Sequence, residues 1–545
     1  MQAAPSDSVP ASVVRSRRHA LVASAALFLA AAPAAAANGG NARFSLGVTA
    51  GDVTATSAIL WGRANRSTAV VLEVARDRRL RQGLRRFAVA ARRSNDNTAQ
   101  RRVRGLRPGT RYWYRFRKGR GKSELGTFVT APRADRNATV EFGWTGDTDF
   151  TPAPGQKAPF WNNGGVFRRM RAERNDFNIH LGDTMYSDSE VPGRLQPIAL
   201  TVPAKWAKYK TNLGNSPLRR LRRSAGFYSH WDDHEFINDF SPAENSFTSF
   251  NVETNINGRL LYRRGAKAFR DYAPVAYSRR NGLYRTVRWG RNLELFFLDE
   301  RSFRSAKADA GGVCDNPQTG QPDMAPTTPQ SVRNVFALVA PSLSEPVSQA
   351  CLDAIRSPQR TYLGRRQLRR FLREVKRSNA RFKVIVNELA IQQYYVLPYD
   401  RWEGYEAERQ FVLRELQSVP NVVFLTTDVH ATLVNDARFQ TLEPGGPRNS
   451  GILDVTVGSA ATENFALEID RSLGQQGAGT LVDTAFFEPQ PPAGVGMQCS
   501  VANAFSYGEV RVTASQLTIT PKGIDGSPLR NAGRPCGPFV LRFRR

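Results

Sequence analysis

The sequence predicts an α/β protein preceded by a small antiparallel β-sandwich, and two patterns carry that expectation. From about Phe44 to Thr130 apolar and polar residues alternate in short runs; from Thr139 onward apolar strand runs are separated by helical segments. At 545 residues the chain exceeds what one ordinary core organises, which fits two domains or one large domain with an appendage. Hydrophobic content of 41% and charged content of 23% are globular values, so disorder is not the default.

The chain begins with a segment that belongs to neither unit. Arg15, Arg17 and Arg18 precede an alanine- and leucine-rich stretch from Ala20 to Ala32 that is too short to span a bilayer, and Ala34 to Ala37 offer an A-x-A cleavage site. Residues 1–37 therefore read as a signal peptide, with the mature protein exported to the periplasm, the cell wall or the medium. The pair Arg17-Arg18 after Ser16 resembles a twin-arginine signal; a general secretory signal with an arginine pair is the alternative. Export makes the four cysteines readable as two disulfides, and their order favours Cys314 with Cys351 and Cys499 with Cys536. None sits beside a histidine at metal-ligand spacing.

The β domain is expected over residues 43–132. Ser57 to Trp61, Val70 to Val74 and Tyr112 to Phe116 read as its strands, and Leu106-Arg107-Pro108-Gly109-Thr110-Arg111-Tyr112 resembles the tyrosine corner of fibronectin type III-like modules. Ala131 to Ala138 is a polar linker, and the second domain is expected over residues 138–545. One helix there is clear: Leu368, Phe371, Leu372 and Val375 share a face, with arginines opposite, and lead into a strand at Phe382 to Val386. Residues 305–359, with two cysteines and clustered Pro and Gly, read as a loop-rich insertion or lid, as do residues 473–495. Strand alternation returns from Val510 to Pro521.

Lysine and arginine total 77 against 48 acidic residues, a net charge of +29. Such a field attracts polyanions: phosphate-rich wall polymer, nucleic-acid fragments or anionic phospholipid. The arginines are spread along the chain with no basic arm or aromatic-and-basic reader motif, so a dedicated nucleic-acid binder is disfavoured. Solubility and wall retention explain the charge equally well. No stable protein partner is evident, and no transmembrane segment is expected in the mature chain.

Chemistry concentrates where five apolar runs end in polar residues: Gly146-Asp147-Thr148-Asp149, Gly182-Asp183-Thr184-Met185-Tyr186, Trp231-Asp232-Asp233-His234-Glu235, Asp299-Glu300-Arg301 and Thr427-Asp428-Val429-His430. In α/β sheets ligands bind beyond the carboxyl ends of strands, so all five can face one crevice. A single Gly-Asp after a strand is weak evidence, because Asp caps turns everywhere. The set is stronger: of five histidines, His234 and His430 lie inside these acidic motifs, whereas His180 and His230 sit in apolar runs as core or supporting residues. Carboxylate, imidazole and phenolate donors without thiolate suit two hard or borderline cations: iron, calcium, manganese or zinc. Two such cations can deliver a hydroxide while clamping the oxygens of an in-line displacement at phosphorus, with Asp183 the best candidate for a bridging carboxylate.

These motifs, in this order after a small β domain, resemble PhoD-like alkaline phosphatases and phosphodiesterases. Leu363-Gly364, Gln367, Phe382 to Glu388 and Val457-Gly458-Ser459 extend the resemblance over nearly all of the mature chain, and Trp-Asp-Asp-His-Glu is its most specific element. The resemblance implies a calcineurin-like metallophosphoesterase fold, a four-layer sandwich of two mixed sheets flanked by helices, with two or more metal ions that can include iron and calcium. It implies that Asp183 bridges metals, Tyr186 binds the ferric ion, and Asp428 and His430 complete the coordination. Asp233 stands where the superfamily has a metal-binding Asn, with Asp232 the alternative ligand, and His234 where it has the His that stabilises the transition state or protonates the leaving group. Arg301 is expected to hold phosphate by a bidentate fork, or else to pair with Asp299 or Glu300.

One departure stands out. Well-known PhoD enzymes offer a cysteine as an iron ligand in the first motif, whereas this chain has Trp144-Thr145-Gly146-Asp147. Asp147 can take the thiolate's place, which leaves metal identity open. Asp149 either replaces the His of the superfamily's first motif or caps a turn, and Asn387 is a candidate ligand or substrate contact. The leading expectation is an exported metal-dependent hydrolase of phosphate mono- or diesters. A phospholipase D-like phosphodiesterase, with exposed apolar residues on the lid loops, is the enzyme alternative; a non-catalytic surface protein that binds polyanions is the other.

Overall fold

Two large mixed sheets organise the chain in the computed structural model, which describes residues 40–249 and 252–544. The expected signal peptide, residues 1–37, lies outside the described residues. In the first sheet the central strands Val140–Thr145, Phe177–His180 and Gly226–Ser229 run parallel in consecutive register. On one flank the hairpin Ser506–Val512 and Gln516–Gly523 continues antiparallel to Phe539–Arg542. The second sheet places Leu293–Phe297, Phe382–Val386, Val422–Thr426 and Arg448–Thr456 in parallel order, with antiparallel strands at both edges. Burial on both faces explains the continuous apolar runs of the parallel strands.

The inner faces share one core: Phe142, Trp144, Ile179 and Tyr228 from the first sheet meet Leu295, Phe297, Val384 and Leu425 from the second. The outer face of the first sheet carries helices Gly165–Ala172, Val202–Gly214, Ser216–Arg222 and Gly258–Tyr272; that of the second carries Arg365–Arg377 and Glu406–Leu416. The helix read from Leu368, Phe371, Leu372 and Val375 runs from Arg365 to Arg377 and buries the last three. Its strand occupies Phe382–Val386. The alternation from Val510 to Pro521 is a hairpin rather than one strand, because Thr513 to Ser515 form its turn.

The N-terminal segment contributes to two sheets. Thr68–Ala75, Arg85–Ala91 and Arg111–Lys118 pair with one another in a five-stranded sheet. Val48–Gly51, Ser57–Arg63 and Thr98–Arg104 instead extend the first large sheet, through a parallel bridge between Ala50 and Gly226. The Tyr112 hydroxyl accepts a hydrogen bond from Arg107 N at 2.9 Å, the back-bond of a tyrosine corner. Both disulfides form, Cys314–Cys351 with Cα atoms 4.7 Å apart and Cys499–Cys536 with 5.6 Å. The first braces the 305–359 insertion, where helices Gln330–Phe336 and Gln349–Arg356 stand among the loops. Among the described residues no helix is long and apolar enough to cross a membrane.

Candidate metal centre

The parallel strands of both sheets deliver their carboxyl-terminal turns to one place. Asp147 follows Val140–Thr145, Asp183 follows Phe177–His180, Asp232 and Asp233 follow Gly226–Ser229, and Asp428 and His430 follow Val422–Thr426. Asp147, Asp183, Asp428 and His430 have φ of 58°, 46°, 69° and 55°. A left-handed backbone disfavours an L residue by about 1–2 kcal/mol, so four such turns in one cluster mark a site held by its surroundings. Close packing restricts the neighbours as well: a Cβ at Gly182, φ +75°, would stand 2.7 Å from Asp232 Cβ, and one at Gly458 would stand 2.5 Å from Asp147 Oδ2.

Asp147, Asp183 and His430 bring donor atoms within 4.8 Å of one another, as do Asp183, Asp233 and His234, and Asp232, Asp233 and Asp428. Asp183 thus joins the first two groups, and Asp233 the second and third. The Tyr186 hydroxyl lies 3.0 Å from His430 Nε2, and its ring stacks on His234 with centroids 4.0 Å apart. Both Asp147 oxygens are buried without a hydrogen-bond donor, and Asp232 Oδ2 and His430 Nδ1 are also unpartnered. Burial and neighbouring acids, Asp232 for Asp147 and Asp233 for Asp183, push these carboxyls well above the usual range. Buried anionic oxygens crowded together without donors fit cations, which would satisfy both the lone pairs and the charge. A further group, Asp233, Asp239 and Asp400, differs because Asp400 already pairs with Arg301 and Arg304.

Arg301 is fully buried. Its Nε donates to Asp232 Oδ1 at 2.5 Å and its Nη1 to Asp400 Oδ1 at 2.8 Å, while Nη2 points between Asp233 Oδ1 at 3.8 Å and Asp428 Oδ1 at 4.0 Å. The fork expected for phosphate is thus engaged with carboxylates on two of its three nitrogens, and its partners are Asp232 and Asp400 rather than Asp299 or Glu300. Asn387 is also engaged locally: its amide nitrogen donates to Leu389 O and its oxygen accepts from Trp402 Nε1 at 3.2 Å. Asp149 caps a turn, accepting from Thr151 N at 2.9 Å and Ser189 Oγ at 2.5 Å, and joins none of the donor clusters.

Several supporting roles escaped the sequence reading. Asp188 accepts from His234 Nδ1 at 2.7 Å, Asn238 N at 2.8 Å and Ser249 Oγ at 2.7 Å. Burial opposes charge on the His234 ring, yet Asp188 and Asp233 hold it well above its ordinary range. Glu235 accepts from Thr184 N at 2.6 Å and Asp232 N at 2.8 Å, clamping two motif turns together. Glu190, pushed up to about 8 by burial, lies 3.9 Å from His234 Nε2. The spacing Asp188-Ser189-Glu190 just after Tyr186 was the available signal; Asp400 had none. His180 and His230 are buried supports: His180 Nε2 lies 2.9 Å from Thr148 Oγ1, and His230 Nδ1 lies 2.6 Å from Glu388 Oε1.

Comparison with known proteins decides the family. The model of the PhoD-like phosphatases matches residues 153–493, and that of the family's N-terminal domain matches residues 30–132. The chain belongs to the PhoD-like phosphatase family. It is 24% identical over 437 residues to alkaline phosphatase D of Bacillus subtilis (strain 168), a match covering 73% of this chain and 66% of that relative. The chain thus spans just under two thirds of the relative's length. Its structure is similar to that of PhoD, with a TM-score of 0.67 at 19% identity over 92% of this chain and 94% of the other. It is also similar to purple acid phosphatase PPD1 from yellow lupin (Lupinus luteus) seeds, with a TM-score of 0.54 at 11% identity over 89% and 72%. At these identities the structural likeness shows a shared fold of mixed sheets with helices.

Proposed function

We propose that the protein is an exported, metal-dependent phosphoesterase acting on phosphate mono- or diesters. In this reading the signal peptide of residues 1–37 is removed, residues 43–132 form a fibronectin type III-like module, and residues 138–545 form a four-layer catalytic domain. The observation that supports it most is that Asp183 belongs to two donor clusters at once, the arrangement a bridging carboxylate needs. Asp147, Asp183, Tyr186, Asp233, Asp428 and His430 would hold two or more cations. Iron and calcium are the metals the family suggests, and manganese or zinc suit the same donors. Bound cations supply charge neutralisation at the phosphoryl oxygens and an acidified water as nucleophile.

The chain's own residues do the rest. Asp188 fixes the His234 ring and stabilises its charged form, so that His234 can hold a proton for the departing oxygen. Arg301 keeps Asp232 and Asp400 compensated in a buried setting and leaves Nη2 as the one guanidinium nitrogen free to meet a phosphoryl oxygen. The net charge of +29 draws phosphate-rich substrates: wall polymer, nucleic-acid fragments or phospholipid head groups. The deciding experiment is hydrolysis of bis-p-nitrophenyl phosphate against p-nitrophenyl phosphate before and after chelation, with calcium, manganese and iron added back. Chelator-sensitive turnover is expected, and the rate ratio reports diester or monoester preference; no turnover with any metal would overturn the reading.

A phospholipid substrate is favoured by one feature of the insertions. Helix Phe465–Leu473 starts beside the centre, with Phe465 N donating to His430 O at 3.1 Å, and its Ile469 and Leu473 pack with Phe336. Next to this contact Leu338 is 89% exposed and Val335 63% exposed. Release of head groups from phosphatidylglycerol vesicles tests it: Val335→Ser with Leu338→Ser should slow vesicle hydrolysis while sparing bis-p-nitrophenyl phosphate, and equal rates on vesicles would reject it.

A further inference from the structure

Away from the metal-binding turns, a cavity of about 340 Å3 opens between the Arg279–Tyr284 loop and the start of helix Arg365–Arg377. Arg279 and Arg280 line one side, Arg365, Arg366 and Arg370 the other, with Phe303 and Leu363 between. We propose that this cavity is a second anion site that takes a phosphate group, either free phosphate or the head of a small phosphate monoester.

Unpaired arginines alone carry little weight in a chain with 77 basic and 48 acidic residues. What sets these apart is convergence from two elements far apart in sequence. Among the described residues, Arg279, Arg280, Arg365 and Arg366 have no acidic partner, and the ion pair at the wall joins Arg370 to Glu374 at 2.8 Å. All four are solvent-exposed, and gathered around one concavity they raise a positive field there that an anion would answer. The wall is also ordered in advance. The Arg370 guanidinium lies over the Tyr284 ring, 4.8 Å from its centroid, and the Tyr284 hydroxyl donates to the other Glu374 oxygen at 2.8 Å.

The helix adds to the same field. Its first turn contains two arginines and no acid, and no side chain caps it. Cations at the positive end of a helix dipole are unfavourable, and a bound anion reverses that sign. Gly364, φ +75°, makes the approach possible, since a Cβ there would stand 2.6 Å from Phe303 Cβ. Guanidinium groups recognise phosphate through paired N–H donors, and the apolar wall leaves room for the carbon part of an ester. Gln367 closes the floor, with Oε1 accepting from Asp299 N at 2.8 Å and Nε2 donating to Asp299 O at 2.7 Å. The lining residues include none of the candidate metal ligands.

Isothermal titration calorimetry on the full metal-loaded protein tests this with two probes, inorganic phosphate and the non-hydrolysable propylphosphonate. R365S/R366S should lose one equivalent of probe, or at least tenfold in its affinity. R279S/R280S, altered on the opposite wall, should show the same loss and keeps the test open if the helix variant folds poorly. R369S/R373S removes the same charge from positions on the same helix that do not line the cavity and should change binding less than twofold. Competitive inhibition of bis-p-nitrophenyl phosphate hydrolysis by phosphate reports the metal centre separately and should be unchanged in all three variants. Tighter binding of propylphosphonate assigns the pocket to an ester, and tighter binding of phosphate to the free ion. Equal losses in R369S/R373S, or unchanged binding in both pocket variants, would overturn the proposal.

Discussion

Removing the Arg301 guanidinium separates two roles for it. Arg301→Met keeps the volume and deletes the charge, so Asp232 loses its 2.5 Å partner while Asp400 retains Arg304 at 2.9 Å. Breaking a buried ion pair from one side costs about 3–5 kcal/mol, because an uncompensated charge stays behind. Spread over the unfolding entropy of 545 residues, at about 2 cal/mol/K per residue, this lowers the midpoint by roughly 3–5 °C. Denaturant unfolding of the chelated protein measures the loss more directly. Adding Asp232→Asn to Arg301→Met should recover much of it, since the double variant no longer buries the orphaned carboxylate. If Arg301→Met unfolds like the wild type, with only a raised KM for phosphate esters, then Arg301 is a free phosphate fork and the ion-pair argument fails.

Other expectations follow from the same geometry. Asp183→Asn should abolish metal uptake and turnover together, read by elemental analysis and p-nitrophenyl ester hydrolysis; normal metal content would remove Asp183 from its bridging role. Burial lowers Lys205 to about 7, with its Nζ donating to Ser187 Oγ at 2.6 Å and Phe236 O at 2.8 Å. The unfolded chain keeps that proton to about pH 10.4, so between pH 7 and 10 unfolding takes up a proton and stability rises with pH, by at most about 1.4 kcal/mol per unit. Lys205→Met should flatten that slope in urea unfolding followed across this range, and an unchanged slope would refute the shift. Gly182→Ala should cost about 1–3 kcal/mol and lower kcat, because it combines a left-handed backbone with the 2.7 Å approach to Asp232. Gly446→Ala, φ +79° with nothing within 4 Å, supplies the backbone-only comparison, and equal kcat losses would argue against a steric cause.

What the sequence determined by itself was local. The period of Leu368, Phe371, Leu372 and Val375 specified a helix, because side-chain direction along a helix follows chain position alone. Apolar runs ending in Asp and His marked the turns of the candidate metal centre for the same reason: a buried strand stops where polar groups begin, and parallel strands put those ends on one side. The Tyr112 back-bond is equally local, five residues from its donor. Tertiary structure alone decided the rest. Nothing in residues 48–63 announces that they extend the sheet of Gly226–Ser229, since strand edges of similar character accept one another whatever their separation. Asp149, read as either ligand or cap, accepts hydrogen bonds from nearby Thr151 and from Ser189, which only the fold brings against it. The partner of Arg301 likewise depended on the return of the chain 99 residues later, which carried Asp400 against it. A charge forced out of water takes whichever opposite charge the fold brings within reach, and that neighbour is settled by packing, not by position along the chain.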